Sequence, residues 1–203
     1  MDTRTLSERP VKTIIEIGEI LKERLVVMTV GKTHSGKTTF AKELESVLQQ
    51  AIVIDQDNHA EFINEHYKKL RPTEGPNTLK FSVTDAIVNY ATEQSNFHII
   101  LSNSNLNKSG RAKVLRYFHN KEFKSIIVYF DLPNDLLKDR VIRTQRSKAI
   151  FRSASSFLEV LERQENFSEI QPSKDEANYV FIIKDPNNTA EIIQQIIAIT
   201  GTR

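Results

Sequence analysis

Eight consecutive residues, Gly31-Lys32-Thr33-His34-Ser35-Gly36-Lys37-Thr38, match the spacing G-x-x-x-x-G-K-[ST] at every fixed position. The chemistry of such a run is phosphate binding. Its backbone N–H groups point inward at an anion, and the positive end of the following helix adds to the field. In that arrangement Lys37 bridges the β- and γ-phosphates, and the Thr38 hydroxyl is a ligand of Mg²⁺. Thr39 carries the same stretch into the helix. A Gly/Ser/Thr turn entering a helix would look similar in isolation. Here a strand-like run (Leu25 to Val30) precedes the loop, and Phe40, Leu44, Val47 and Leu48 recur behind it at helical spacing. The pattern therefore identifies a nucleoside triphosphate site.

Two carboxylates and three arginines extend the constellation. Asp55 and Asp57 follow the apolar run ending at Ile54, and ligands of open α/β sheets bind outside that edge. A carboxylate there accepts the proton of an attacking hydroxyl. The plainer reading is that both cap a helix starting near Asn58; beside a phosphate loop, the catalytic role falls on Asp57. Arg140, Arg143 and Arg146 recur every third residue, so a helix presents them on roughly one side. They are suited to neutralise charge on a transferred phosphoryl group. A solvated helix face is the competing reading.

The elements that must hold these residues alternate. Strand candidates are Leu25–Val30, Ala51–Ile54, Phe97–Leu101, Ser125–Phe130 and Tyr179–Ile183, each a short apolar run of the kind buried on both faces. Helical spacing lies between them. It is marked by Val83, Ala86, Ile87, Tyr90 and Ala91, by Val114, Leu115 and Phe118, and by Leu136, Leu137 and Val141 behind Pro133. Phe157, Leu158, Val160 and Leu161 mark another, and Ile192, Ile193, Ile196 and Ile197 the last. Ile14 to Leu21 suggests a further helix leading into the first strand, so residues 1–24 read as an N-terminal extension and 25–203 as one kinase-sized domain. Arg71 to Asn77, with two prolines and a glycine, reads as a mobile loop. This alternation is that of an α/β protein with a parallel sheet covered on both faces.

Composition narrows the function. The chain has 203 residues, a formal charge of +2 and no cysteine. Disulfides, thiolate metal sites and cysteine nucleophiles are thereby excluded. The net charge is too small to argue for nucleic acid or membrane by itself. The polar N-terminus and the short apolar runs predict a soluble, cytoplasmic protein with no membrane partner.

Taken together, the P-loop, the aspartate after the second strand, the run Ser102-Asn103-Ser104-Asn105-Leu106-Asn107 and the arginine-rich segment resemble polynucleotide kinases and the broader group of small P-loop kinases that includes zeta toxins. The resemblance spans roughly Leu25 to Ile183, with Phe167, Pro172 and Glu176 similar to that family's C-terminal portion. It implies a sheet in the order 2-3-1-4-5, ATP and Mg²⁺ at the P-loop, Asp57 as general base and the arginines in a lid. It also places Pro186, in the loop after the last strand, close to the adenine. Three departures stand out. His34 replaces a usual glycine, which implies altered loop geometry. Asn103 replaces an aspartate, leaving the metal to Thr38, waters and Asp55. Ala60 replaces an arginine that engages the acceptor's phosphate.

Acceptor recognition is expected between the second and third strands, where Glu61, His66, Tyr67, Lys68, Lys69 and Arg71 form a basic stretch with one aromatic. It suits a nucleic-acid strand or an ordinary exposed helix. His59 is placed to contact the acceptor, whereas His98 and His119 read as structural. Three functions remain open: a 5′-hydroxyl polynucleotide kinase, a kinase of a sugar, nucleotide-sugar or nucleoside, and a nucleotide-binding switch without an acceptor.

Overall fold

Leu25–Gly31 is buried at all seven positions, which only the centre of a sheet covered on both faces allows. In the computed structural model, which describes residues 23–75, 77–151, 156–166 and 171–201, this run is strand β1. The order along the chain is β1, α1 (Lys37–Val47), β2 (Ala51–Ile54), α2 (Gln56–His66), α3 (Thr78–Gln94), β3 (His98–Leu101), α4 (Lys108–His119), β4 (Lys124–Phe130), α5 (Asn134–Arg143), α6 (Phe157–Glu165), β5 (Tyr179–Ile183) and α7 (Thr189–Ile199). Short 3-10 turns at Lys68–Leu70 and Pro186–Asn188 complete it. The helix expected at Ile14 to Leu21, and Phe167, lie outside the described residues.

All five strands are parallel in the order 2-3-1-4-5, as the resemblance implied. β1 sits between β3 and β4, with Val27 opposite Ile100 and Ile126. Strand side chains alternate between faces. Leu25 and Val27 pack with Phe40 and Leu44 of α1 and Ile193 and Ile196 of α7. Val26, Met28 and Val30 pack with Leu115 and Phe118 of α4 and Ala91 of α3. This two-sided core fixes β1, so the loop leaving its C-terminal end is held on a rigid base. Leu132, Leu137, Val141, Phe157 and Leu161 form a separate small core that joins α5 to α6 as a lid.

The arginine segment departs from expectation. α5 ends at Arg143, Thr144 turns extended (ψ 139°), and its hydroxyl accepts from the Arg146 N–H at 3.1 Å. A threonine hydroxyl bonded locally to the backbone competes with continuing the helix. Arg140 and Arg143 are therefore helical while Arg146 lies beyond the helix, and the three do not share a face of one helix. α2 also begins earlier than expected, at Gln56, because the Asp55 carboxylate accepts from the Asp57 N–H at 2.9 Å.

Candidate functional site

At the end of β1 the chain must turn tightly. Gly31 has φ 152°, and a Cβ there would lie 3.0 Å from Phe130 Cβ and 3.1 Å from the Phe130 carbonyl oxygen, so both space and conformation require glycine. Gly36 (φ 101°) caps α1, with no side-chain cap and no acidic residue in the first turn. By contrast, α2, α4 and α6 are capped by Asp55, Asn107 and Ser156. A helix start without a side-chain cap among the described residues, at a positive helix end, is suited to a phosphate.

His34 adopts φ 59°, so the loop retains the left-handed backbone that a glycine would favour, despite carrying a side chain. This conformation costs an L residue about 1–2 kcal/mol, and packing offsets it. The imidazole meets the Phe157 ring edge-on at 4.7 Å, and Nδ1 is 2.9 Å from the Thr33 hydroxyl. The His34 carbonyl accepts from Arg140 Nη1 at 3.1 Å. Burial, together with the nearby Arg146, Lys37 and Arg140, lowers the His34 pKa to about 4.

The Lys37 ammonium folds back over the loop, donating to the Lys32 carbonyl at 2.5 Å and to Ser35 Oγ at 3.1 Å. Burial lowers its pKa to about 8, opposed by Asp57 and Asp55. Lys32 turns outward to Asn134 Oδ1 at 2.7 Å. Thr38 Oγ1 donates to Asp55 Oδ2 and accepts from Ser102 Oγ, each at 3.4 Å. Burial raises the Asp55 pKa, against the hydrogen bond from the Asp57 N–H. Asn103 supports this floor: its Oδ1 accepts from the Gln56 N–H at 3.1 Å, and the Thr29 hydroxyl donates to its carbonyl at 3.2 Å.

Asp57 is half exposed and bonded by Arg146 Nη2 at 2.8 Å, while the Arg146 guanidinium lies 5.4 Å from the Phe157 ring centroid. A solvent-accessible pair of this kind contributes about 0–1 kcal/mol, so an incoming ligand can displace it at small cost. These groups line one cleft of about 600 Å³, with Lys37, Thr38 and Thr39 on one wall and Asp57, Ser102 and Asn103 on another. Arg140, Arg146, Ile150, Phe151, Phe157, Val160, Arg163 and Gln164 from the lid form a third. Gln164 Oε1 accepts from the Thr33 N–H at 2.7 Å, which ties α6 to the phosphate loop.

Of the expected residues, Gly31, Lys32, Ser35 and Asp55 belong to the phosphate loop and its floor without lining the cleft, and Arg143 and Pro186 lie outside both. Arg143 points to solvent, 3.9 Å from Asp139 one turn back, because the neighbours of a helical residue are set by its turn and not by its charge. Pro186 is exposed in its short turn and is not among the cleft's lining residues. His59 faces Thr84 Oγ1 at 2.8 Å. His98 Nδ1 accepts from the Leu25 N–H and His119 Nε2 meets Ser125 Oγ, both structural contacts as expected. Ala60 is buried on α2. Sequence reasoning missed Lys80, Arg163 and Gln164, which stand outside any motif.

A phosphate loop on the central strand, a carboxylate just past the end of β2, with β3 between the two strands, and a lid bringing arginines over both define a kinase-like, nucleotide-binding P-loop protein. A family model described as an AAA domain (AAA_33) matches residues 26–167, and the chain belongs to that family. No curated protein matches the sequence. Among solved structures the chain is similar to a putative kinase from Chloroflexus aurantiacus, with 15% identity and a TM-score of 0.59 over 89% of this chain and 97% of that one. Chaetomium thermophilum Kti12 in complex with ADP-AlF3 is similar at 16% identity and TM-score 0.58, over 84% of this chain and 96% of that one. Mycobacterium tuberculosis APS kinase CysC with AMPPNP and APS matches at 15% identity and TM-score 0.57, over 89% and 99%. At such identities the likeness is one of fold.

Proposed function

We propose that this protein is an ATP- and Mg²⁺-dependent kinase that transfers the γ-phosphoryl group to a hydroxyl. The observation that carries the reading is the convergence of Lys37, Asp57 and the lid arginines Arg140 and Arg146 on one cleft. Thr38, Asp55 and Ser102 form a contiguous set of hard oxygen donors, the donor type that suits Mg²⁺. Thr38 would hold the ion, with Asp55 behind it; when bound, the ion neutralises phosphate charge. Lys37 binds the phosphates, and Arg140 and Arg146 face the charge that develops on the transferred group. Asp57, released from Arg146 as the acceptor enters, orients the hydroxyl and takes its proton. The O–P bond forms to the acceptor oxygen as the β–γ bridge breaks, leaving ADP. Arg143 and Pro186 have no part in this scheme.

Resemblance favours a nucleic-acid 5′-hydroxyl as acceptor. A second reading, a small-molecule acceptor, is favoured by the lid wall of Ile150, Phe151, Phe157 and Val160 beside Asp57 and by the buried alanine at position 60. The deciding experiment follows γ-labelled phosphate from ATP·Mg²⁺ to a single-stranded 5′-hydroxyl oligonucleotide and, in parallel, to small alcohols. Asp57→Asn is expected to lower turnover by about two orders of magnitude or more, with nucleotide affinity retained. A variant that transfers phosphate at the wild-type rate would remove Asp57 from the mechanism. Oligonucleotide labelling that weakens steeply with salt would favour the first acceptor.

A further inference from the structure

The lid meets the phosphate loop at its left-handed turn. Within the loop His34 is the one residue other than glycine with a positive φ, 59°. A side chain of the lid holds the peptide on each side of the Thr33–His34 pair. Before it, the Thr33 N–H donates to Gln164 Oε1 of α6 at 2.7 Å. After it, the His34 carbonyl accepts from Arg140 Nη1 of α5 at 3.1 Å. The imidazole itself lies edge-on to the Phe157 ring. A trans peptide points its N–H and its carbonyl in opposite directions, so each bond orients a second group. The Lys32 carbonyl shares the peptide that Gln164 holds, and it accepts from Lys37 Nζ. Gln164 thus fixes the plane that presents this carbonyl to the phosphate-binding lysine. Arg140 in the same way turns the Ser35 N–H away from its own guanidinium.

A glycine at position 34 would enter the left-handed region without support. A histidine enters it against a steric penalty, which unopposed leaves that conformation about one part in ten of the population. We propose that Gln164 is a positioning residue of the nucleotide site. Docked on Thr33, it holds the His34 turn in its phosphate-binding shape, so the P-loop is complete only while α6 is seated on it. Nucleotide and lid then favour the same loop conformation, and each strengthens the other. Gln164 brings no charge to the phosphates and stands 131 positions from Thr33, outside the P-loop pattern. Its part is to set the fraction of loops able to bind, and apparent affinity scales with that fraction. The inference rests on nucleotide binding at the P-loop and requires no particular acceptor.

A double-variant cycle tests it. Affinity for AMPPNP·Mg²⁺ is measured by calorimetry on the wild type, Gln164→Leu, His34→Gly and the two combined. Gln164→Leu removes the acceptor oxygen with little change of size and is expected to weaken binding about tenfold. Gln164→Asn, whose amide falls one methylene short of Thr33, is expected to show the same loss, which separates reach from polarity. In the His34→Gly background, Gln164→Leu is expected to change affinity by less than about threefold, because glycine adopts the turn unaided. Hydrogen exchange of β1 and β4 amides verifies on every variant that the sheet is intact. Equal losses in both backgrounds, the additive result for a residue that merely packs α6, overturn the proposal. Wild-type affinity in Gln164→Leu overturns it as well. Failure of AMPPNP·Mg²⁺ to bind the wild-type protein overturns the nucleotide site and the kinase reading with it. The expected coupling without phosphoryl transfer to any hydroxyl supports the role of Gln164 and overturns the kinase reading alone.

Discussion

Two residues of the phosphate loop hold their ordinary protonation far from its usual range, and each makes a testable statement about pH. The Lys37 pKa is lowered to about 8, chiefly by burial, and bound phosphates would raise it again. Nucleotide binding should then take up a proton near and above pH 8, and affinity should fall as the pH rises through that value. Calorimetry in buffers of different ionisation enthalpy measures that uptake directly. His34 works in the opposite range. Its folded pKa of about 4 lies below the 6.5 of an exposed histidine, so between those values the unfolded chain binds more protons. Stability should therefore rise with pH from about 4 to 6.5 and lose the His34 contribution as the pH falls through that window. Asparagine tolerates the left-handed backbone. His34→Asn should accordingly keep the loop conformation and flatten this part of the urea-midpoint profile.

At the scale of elements, the lid behaves as a unit built around one ring. Phe157 touches His34 edge-on at 4.7 Å and Phe151 at 4.8 Å, carries the Arg146 cation at 5.4 Å, and belongs to the small α5–α6 core. That core is separate from the two that flank the sheet. Phe157→Ala is thus expected to loosen α6 without unfolding β1 or β4. Hydrogen exchange should show faster exchange of α6 amides and unchanged protection in the central strands. Phosphoryl transfer should drop at the same time, because Arg146 loses the surface that aims it at Asp57. The central strands, and the helices that cover them, were legible in sequence, because a strand buried on both faces must read as an unbroken apolar run. Lid geometry was less so. The spacing of Arg140, Arg143 and Arg146 implied one helix, but Thr144 ends it and sends Arg146 elsewhere.

Across the whole molecule, one buried ion pair links distant segments. Arg111, 1% exposed, meets Glu176 through Nε at 2.7 Å and Nη2 at 3.0 Å, and its Nη1 donates to the carbonyls of Asn105 and Leu106. Burial pushes the Glu176 pKa up, but Arg111 and the Ser173 N–H outweigh it and hold the carboxyl below its usual range. The pair joins the loop after β3, which supports the Thr38–Asp55 floor, to the chain entering β5. Removing one partner leaves a buried charge, so Glu176→Leu should cost about 3–5 kcal/mol. Arg111→Met added to Glu176→Leu should recover much of that loss. Urea unfolding of the single and double variants gives the comparison, and equal destabilisation in both would show that packing and not charge governs the site.

The sequence by itself determined what depends on near neighbours. The P-loop is eight adjacent residues, and its glycines specify backbone angles without reference to the rest of the chain. Asp55 and Asp57 owe their position to the end of a strand and the start of a helix, both encoded within a few residues. Sheet order 2-3-1-4-5 followed from the resemblance those motifs carry. Tertiary structure alone decided which cations meet in the cleft. Gln164 reaches Thr33 across 131 positions of sequence, and Arg146 reaches Asp57 across 89. Lys80 and Arg163 approach the same cavity from different helices. Such meetings arise from the way packed elements close on one another, a long-range outcome that charge and local periodicity do not encode.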